Sequence, residues 1–198
     1  MKKLTALALS CILLVGVFFG TAIFASADVE PALYNVNEDL PVGELNDQNF
    51  NVEYQSFMHL AVEITNTDNG LTNGIFVYPE GTTEDRFAYT EPIYSTYTIK
   101  SSTNGQGHTV YYCATQGIAA KDIDVKFRIV AVSYDESTGE YNFGNYVDYS
   151  IADYCDTQID RHDNHDPETG VNPITEAQYT LYNAIINYGK AAQAVLKP

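Results

Sequence analysis

The chain has 198 residues, 10 of them Lys or Arg and 26 Asp or Glu, for a formal net charge of -16. That balance excludes partners held by their phosphates: nucleic-acid binding needs a basic footprint, and an anionic membrane surface repels an acidic protein. Hydrophobic residues make up 45% and aromatics 13%, including 16 Tyr, so the chain can bury a core and is not disordered by composition.

Residues 1–27 read as a secretory signal peptide. Lys2 and Lys3 form a positive start, Leu4 to Phe24 is apolar, and Ala25-Ser26-Ala27 ends in small residues suited to cleavage. Removing this segment leaves 8 basic against 26 acidic residues, a charge of -18. The expected compartment is extracellular, with no membrane association after cleavage.

Residues 28–49 are polar, with two prolines, and read as an extended lead-in. Residues 50–149 carry strand signals. From Val52 to Ile64, Val52, Tyr54, Met58, Leu60, Val62 and Ile64 alternate with Glu53, Gln55, His59 and Glu63, the period of a half-buried strand. Asn66 to Gly70 is a turn. Short strands follow at Gly74 to Tyr78, Arg86 to Tyr89 and Tyr94 to Lys100, then a loop at 101–107 and a strand from His108 to Ala114. Ala119, Ala120 and Lys121 favour one helical turn. Val125 to Tyr134 and Tyr141 to Tyr149 are two further strands around a turn at Ser137-Thr138-Gly139. Strand signals near every ten residues predict a β-sandwich.

The period then changes. Ile151, Tyr154, Cys155 and Ile159 share one helical face, and Ser150 with Asp153 has the spacing of a capping box. A polar stretch, 160–172, leads to a second helix expected from Pro173, capped by Asn172, to Leu196. Its predicted core stripe is Leu181, Ile185, Tyr188, Ala192 and Val195, and Gly189 implies close approach to a neighbouring element. The expected fold class is mainly β with α: a sandwich followed by two packed C-terminal helices, 150–198, in one structural unit.

The words GIAAKDID, YSIADYC and LYNAIINYGKAAQ occur in this order, after an early strand NVEYQSFMHLAVEI. Residues 50–198 thereby resemble a module of secreted and cell-wall-associated proteins of anaerobic Gram-positive bacteria. In that module an immunoglobulin-like sheet precedes a Tyr-Ser-Val-type helix start and an Asn-Tyr-Gly-x-Ala-x-Gln-type helix end. The resemblance implies an immunoglobulin-like β-sandwich and an extracellular compartment, and brings no established activity. Cys113 and the acidic, His-bearing stretch between the helices are not part of it.

Three sets of residues are candidates for chemistry. Asp160, Asp163, Asp166 and Glu168, with His162 and His165 among them, are oxygen-rich enough for Ca²⁺, though they lack the order of an EF-hand; otherwise they form a solvated connector. Tyr94, Tyr97, Tyr111, Tyr112, Tyr141 and Tyr146 fall on or near strands and offer a platform for a glycan or a protein partner, or are ordinary half-buried strand residues. Absence of Trp removes the largest stacking face. Cys113 and Cys155 either form a disulfide, worth roughly 3 to 4 kcal/mol for a loop of about 42 residues, or remain separate buried thiols.

No catalytic motif stands out: there is no G-x-S-x-G elbow, and pairing Cys113 or Cys155 with His59 or His108 has no supporting pattern. The expected function is a non-catalytic binding module for an extracellular protein, the alternative a carbohydrate-directed module that binds surface glycan or hydrolyses it weakly. No cofactor is expected apart from Ca²⁺.

Overall fold

The computed structural model describes residues 30–54, 57–65, 67, 69–97, 100–103, 109–165 and 172–196. The chain divides after Pro31, and Ala32–Pro198 is one compact unit. Residues 1–27, expected to be a signal peptide, lie outside the described residues, as do Asp166 and Glu168.

Among the described residues nine strands form two sheets: β1 Asn35–Val36, β2 Glu44–Tyr54, β3 Met58–Thr65, β4 Thr72–Pro79, β5 Tyr94–Tyr97, β6 Lys100–Thr103, β7 Thr109–Ala114, β8 Phe127–Asp135 and β9 Glu140–Tyr149. One sheet runs β1-β9-β8-β4-β5 and the other β2-β3-β7-β6. Apart from the short parallel pairing of β1 with β9, neighbouring strands are antiparallel. Helices α1, Ile151–Asp163, and α2, Glu176–Leu196, follow the strands. The described residues are mainly β with α, and these two helices lie C-terminal to the sheets.

The two sheets share one core. Leu60, Val62 and Ile64 from β3 meet Ile75 and Val77 from β4 and Ile129 and Ala131 from β8. Alternation achieves this on β3, where Leu60, Val62 and Ile64 are fully buried and Glu63 between them stays partly exposed. The helices join the same core through Ile151, Tyr154, Cys155, Tyr182 and Ile185. Fully burying such side chains contributes about 1.5 to 3 kcal/mol each before chain entropy is counted.

Ser150 caps α1 as the sequence predicts. Its Oγ accepts from Asp153 N at 3.0 Å, and Asp153 Oδ2 accepts in return from Ser150 N at 3.0 Å. The Ala152 amide also donates to Ile123 O, tying the helix start to a 3-10 turn at Ala120–Asp122, where a helical turn is expected.

Several expectations are corrected. The single strand over Val52–Ile64 is two, β2 and β3, paired so that Val52 faces Leu60. β1 and the start of β2 lie inside the 28–49 lead-in, so ordered sheet begins before residue 50. Residues Arg86 to Tyr89 belong to a 3-10 helix, Glu84–Tyr89, that lays Phe87 against the sheet. Helix α2 starts at Glu176, where Thr175 and Gln178 cap it reciprocally. Its buried face is Tyr182, Ile185 and Gly189, whereas Leu181 and Tyr188 are exposed.

Candidate functional site

The outer face of the five-stranded sheet carries a second, aromatic cluster. Phe76 and Tyr78 of β4, with Val130 and Val132 of β8, are buried beneath Phe87, and Tyr34, Tyr141, Phe143 and Tyr146 pack around them. Tyr78 and Phe87 stack at 5.1 Å, and the Tyr78 hydroxyl donates to Phe87 O at 3.0 Å. Tyr34 lies 5.1 Å from Phe76 and 5.0 Å from Tyr141. Two backbone bonds to Ala88 O, from Leu33 N and Tyr34 N, pin the lead-in to the 3-10 segment.

The six tyrosines singled out in the sequence do not form one platform. Tyr97 pairs with Gly74 and shares the outer face with Tyr141 and Tyr146; the Tyr97 and Tyr141 hydroxyls are 3.4 Å apart. Gly74 makes this possible, since a Cβ there would lie 2.8 Å from Tyr97 Cα. Tyr94, three residues from Tyr97, points the other way and packs on the shared core. Tyr112 is half-buried in the second sheet opposite Glu63, and Tyr111 pairs with Ile64, its side chain outside the described set. Tyr134, absent from that set, sits 4.5 Å from Tyr141 and 6.5 Å from Tyr97. Desolvation and the Tyr141 hydroxyl hold the Tyr97 phenol well above its ordinary pKa.

Beside this cluster runs a groove of about 910 Å³ between β1, the 3-10 segment and β9. Tyr34, Tyr89 and Phe143 supply ring surface over the buried Phe87, and Glu38, Glu84 and Asp85 supply carboxylates. The Asn142 amide shapes one end by donating to Glu38 O and Leu40 O. Among the described residues that line it the charges are acidic, and Arg86 holds its guanidinium 5.8 Å over the Tyr89 ring. Three segments far apart in sequence build this groove, and no local motif announced it. A smaller cleft of about 320 Å³, lined by Val77, Ile118, Val125 and Phe127 among others, opens near the 3-10 turn at 120–122.

The acidic stretch falls partly within the described residues. Asp160 and Asp163 lie on α1, which runs further than expected because Asn164 closes it by donating back to Asp160 O. Asp160 also accepts from the Asn164 side chain, and Asp163 accepts from His162 Nδ1 at 3.1 Å. His162 Nε2 reaches Glu176 on α2 at 3.1 Å, and its ring stacks on Tyr179 at 4.2 Å. Bonds to Asp163 and Glu176 favour the imidazolium and raise its pKa. Among the described residues no group of three or more His, Cys, Asp or Glu is placed to hold a metal.

Cys113 of β7 and Cys155 of α1 are two buried thiols in the shared core, with no bridge between them. Burial, reinforced by Asp156, pushes the Cys155 thiol up to about 12, the reverse of what an activated nucleophile needs. His59 is engaged elsewhere, its Nδ1 2.8 Å from Thr115 O. No described helix is long and apolar enough to cross a membrane.

Comparison with protein-family models, with curated proteins and with solved structures returned no match.

Proposed function

We propose that this chain is a secreted, non-catalytic binding module whose aromatic, acid-rimmed groove seats a cationic segment of an extracellular protein. The groove itself carries the reading: three aromatic rings stand beside three carboxylates, and among the described residues that line it none is basic. Such a site suits a Lys or Arg side chain, which gains ring contact and charge pairing together. A formal charge of -16 steers cationic partners toward the molecule.

The N-terminal Lys-Lys, apolar, Ala-Ser-Ala pattern supports secretion, and the resemblance to extracellular modules of anaerobic Gram-positive bacteria supports the same compartment. Two facing sheets with a common core support an immunoglobulin-like sandwich within this reading. The parallel β1–β9 pairing is an addition to that plan.

A second reading, glycan binding, is favoured by the ring surfaces of Tyr34, Tyr89 and Phe143. Salt separates the two. A short Lys- and Arg-rich peptide and soluble cell-wall oligosaccharides are titrated into the purified protein at low and high salt. Binding of the peptide that weakens with salt, and weakens at least about tenfold in Glu84→Gln/Asp85→Asn, supports the first reading. Salt-insensitive oligosaccharide binding supports the second, and binding of neither overturns both. A Ca²⁺ ion held by Asp160, Asp163, Asp166 and Glu168 would act as a stabilising ligand. At about 100-fold saturation it would add roughly 2.7 kcal/mol over the EDTA-treated protein.

A further inference from the structure

Helix α2 is apolar on two faces. One face, Tyr182, Ile185 and Gly189, packs inward. The other, Ala177, Leu181, Ala184, Tyr188, Ala191 and Val195, is exposed at every position. Tyr188 is 64% exposed and Val195 84%. The spacing of this second face alternates four and three, the period of a coiled-coil seam and not of a helix lying on a sheet. An isolated apolar residue on a surface is ordinary, but a six-position seam along a whole helix is not.

We infer that this seam is the dimer interface for a second copy of the chain, packed antiparallel about a two-fold axis. Size alternation along the seam selects the occupant. Large residues, Leu181, Tyr188 and Val195, hold one set of heptad positions, and alanines hold the other. In an antiparallel pair the two sets face each other. Leu181 then sits over Ala191 of the second copy, Tyr188 over Ala184, and Val195 over Ala177. The pattern is complementary to itself, as an isologous interface requires. Alanines let the helix axes approach toward the short end of the usual 8–10 Å range, and the antiparallel arrangement opposes the helix dipoles favourably.

Charge points the same way. The protein carries 26 acidic residues, yet none falls between Ala177 and Leu196, where Lys190 is the only charge. Two copies at -16 repel each other, and this acid-free face is where they meet at least cost. An anionic lipid surface would meet the same overall repulsion without the matching sizes.

The seam is small. Eighteen residues of rise span roughly 27 Å, and a face about 11 Å wide covers roughly 300 Å² per copy, below the roughly 800 Å² per partner of a stable complex. The dimer is therefore weak and reversible, and forms only at high protein concentration. Because long-range repulsion opposes it, added salt strengthens it, opposite to the salt effect expected for a cationic ligand in the groove.

Sedimentation of the purified protein from about 1 µM to 1 mM, at low and high salt, tests this. The expected result is a concentration-dependent shift toward twice the monomer mass, larger at high salt. Ala184→Glu and Tyr188→Glu each abolish the shift and leave the unfolding midpoint unchanged, because both positions are exposed. Variants with one cysteine added beside the buried Cys113 and Cys155 give the orientation: when Ala184→Cys and Tyr188→Cys proteins are mixed with a mild oxidant, the mixed disulfide exceeds either like-with-like disulfide several-fold. A monomer at every concentration overturns the proposal. So does a dimer indifferent to Tyr188→Glu, like-with-like disulfides in excess, or Tyr188-dependent sedimentation with phosphatidylcholine–phosphatidylglycerol vesicles by a protein that stays monomeric alone.

Discussion

Arg128 on β8 grips Asp148 on β9 with two hydrogen bonds, Nε to Oδ1 at 2.8 Å and Nη2 to Oδ2 at 2.6 Å. The two residues are direct cross-strand partners. The guanidinium also lies 4.0 Å over the Tyr146 ring, and Nη1 donates to Thr82 O. One side chain thus joins β8, β9, the aromatic cluster and the segment that leads into the 3-10 helix beneath the groove. Only 12% of the Arg128 side chain is exposed.

Asp148→Asn removes the charge but keeps the shape, and should cost about 1.5 to 3 kcal/mol, the range for a hydrogen bond to a charged group. Arg128→Lys should cost a similar amount, since lysine loses both the fork and the stacking. The Arg128 bond holds the Asp148 pKa below its ordinary carboxylate value. A lowered folded-state pKa contributes stability that is present above about pH 4 and lost as pH falls through the folded value. Urea unfolding of the parent and of Asp148→Asn should therefore draw together as pH falls from about 4 and converge below the lowered folded value. A gap that persists there would mean that ionisation of Asp148 is not the source.

His162 gives a pH dependence of the opposite sign. Its pKa is raised because Asp163 and Glu176 each accept one ring nitrogen. Its contribution is complete below about pH 6.5 and fades as pH rises through the folded value. Since Glu176 opens α2 and His162 sits near the end of α1, what fades is the tie between the helices. Amide exchange in the first turn of α2 should speed up between about pH 6.5 and 8 beyond the intrinsic base catalysis. In His162→Gln that excess should vanish.

How far the sequence led is clearest in α2. Two apolar stripes run along this helix, and the expected one takes Leu181, Tyr188 and Val195 from the outward stripe and the buried Ile185 from the inward one. The inward stripe includes Gly189, which adds nothing to a hydrophobic pattern, so periodicity alone does not choose between the faces. Ser150 and Asp153, by contrast, signal α1 through a local capping geometry that tertiary packing does not alter. Arg86 to Tyr89 reads as a strand because Phe and Tyr suit one; the 3-10 turn follows from Arg86 N bonding Thr83 O and Phe87 stacking on Tyr78. The groove could not be read at all, because Tyr34, Glu84 and Phe143 meet only after the sheet has formed. Tyr94 and Tyr97 separate for a simpler reason: residues three apart on a strand face opposite sides.

Gly189 was legible, and it supplies a test in which two rules disagree on sign. Helix propensity alone makes Gly→Ala in a helix stabilising by about 1 kcal/mol. Here a Cβ would run into the Ile123 side chain and lie 3.1 Å from Ala120 O, a backbone atom that cannot swing aside. Overpacking of this kind costs about 1 to 3 kcal/mol. Gly189→Ala should lower the unfolding midpoint, and a rise would show that the turn at 120–122 yields easily.

Ser133 is fully buried, and its hydroxyl is the one buried side-chain polar atom among the described residues without a hydrogen-bond partner. It sits on β8 opposite Asn73 of β4, where a hydroxyl is desolvated with no return. An unsatisfied buried group costs about 1 to 3 kcal/mol, while the missing oxygen leaves only a small gap. Ser133→Ala should therefore be neutral or stabilising, by up to about 1 kcal/mol in denaturant unfolding at constant slope. Ser133→Val overfills the same space between the sheets and should destabilise. If Ser133→Ala instead lowers stability by more than about 1 kcal/mol, the hydroxyl has a partner in solution, and a buried water bridging Ser133 to the strand ladder becomes the explanation to pursue.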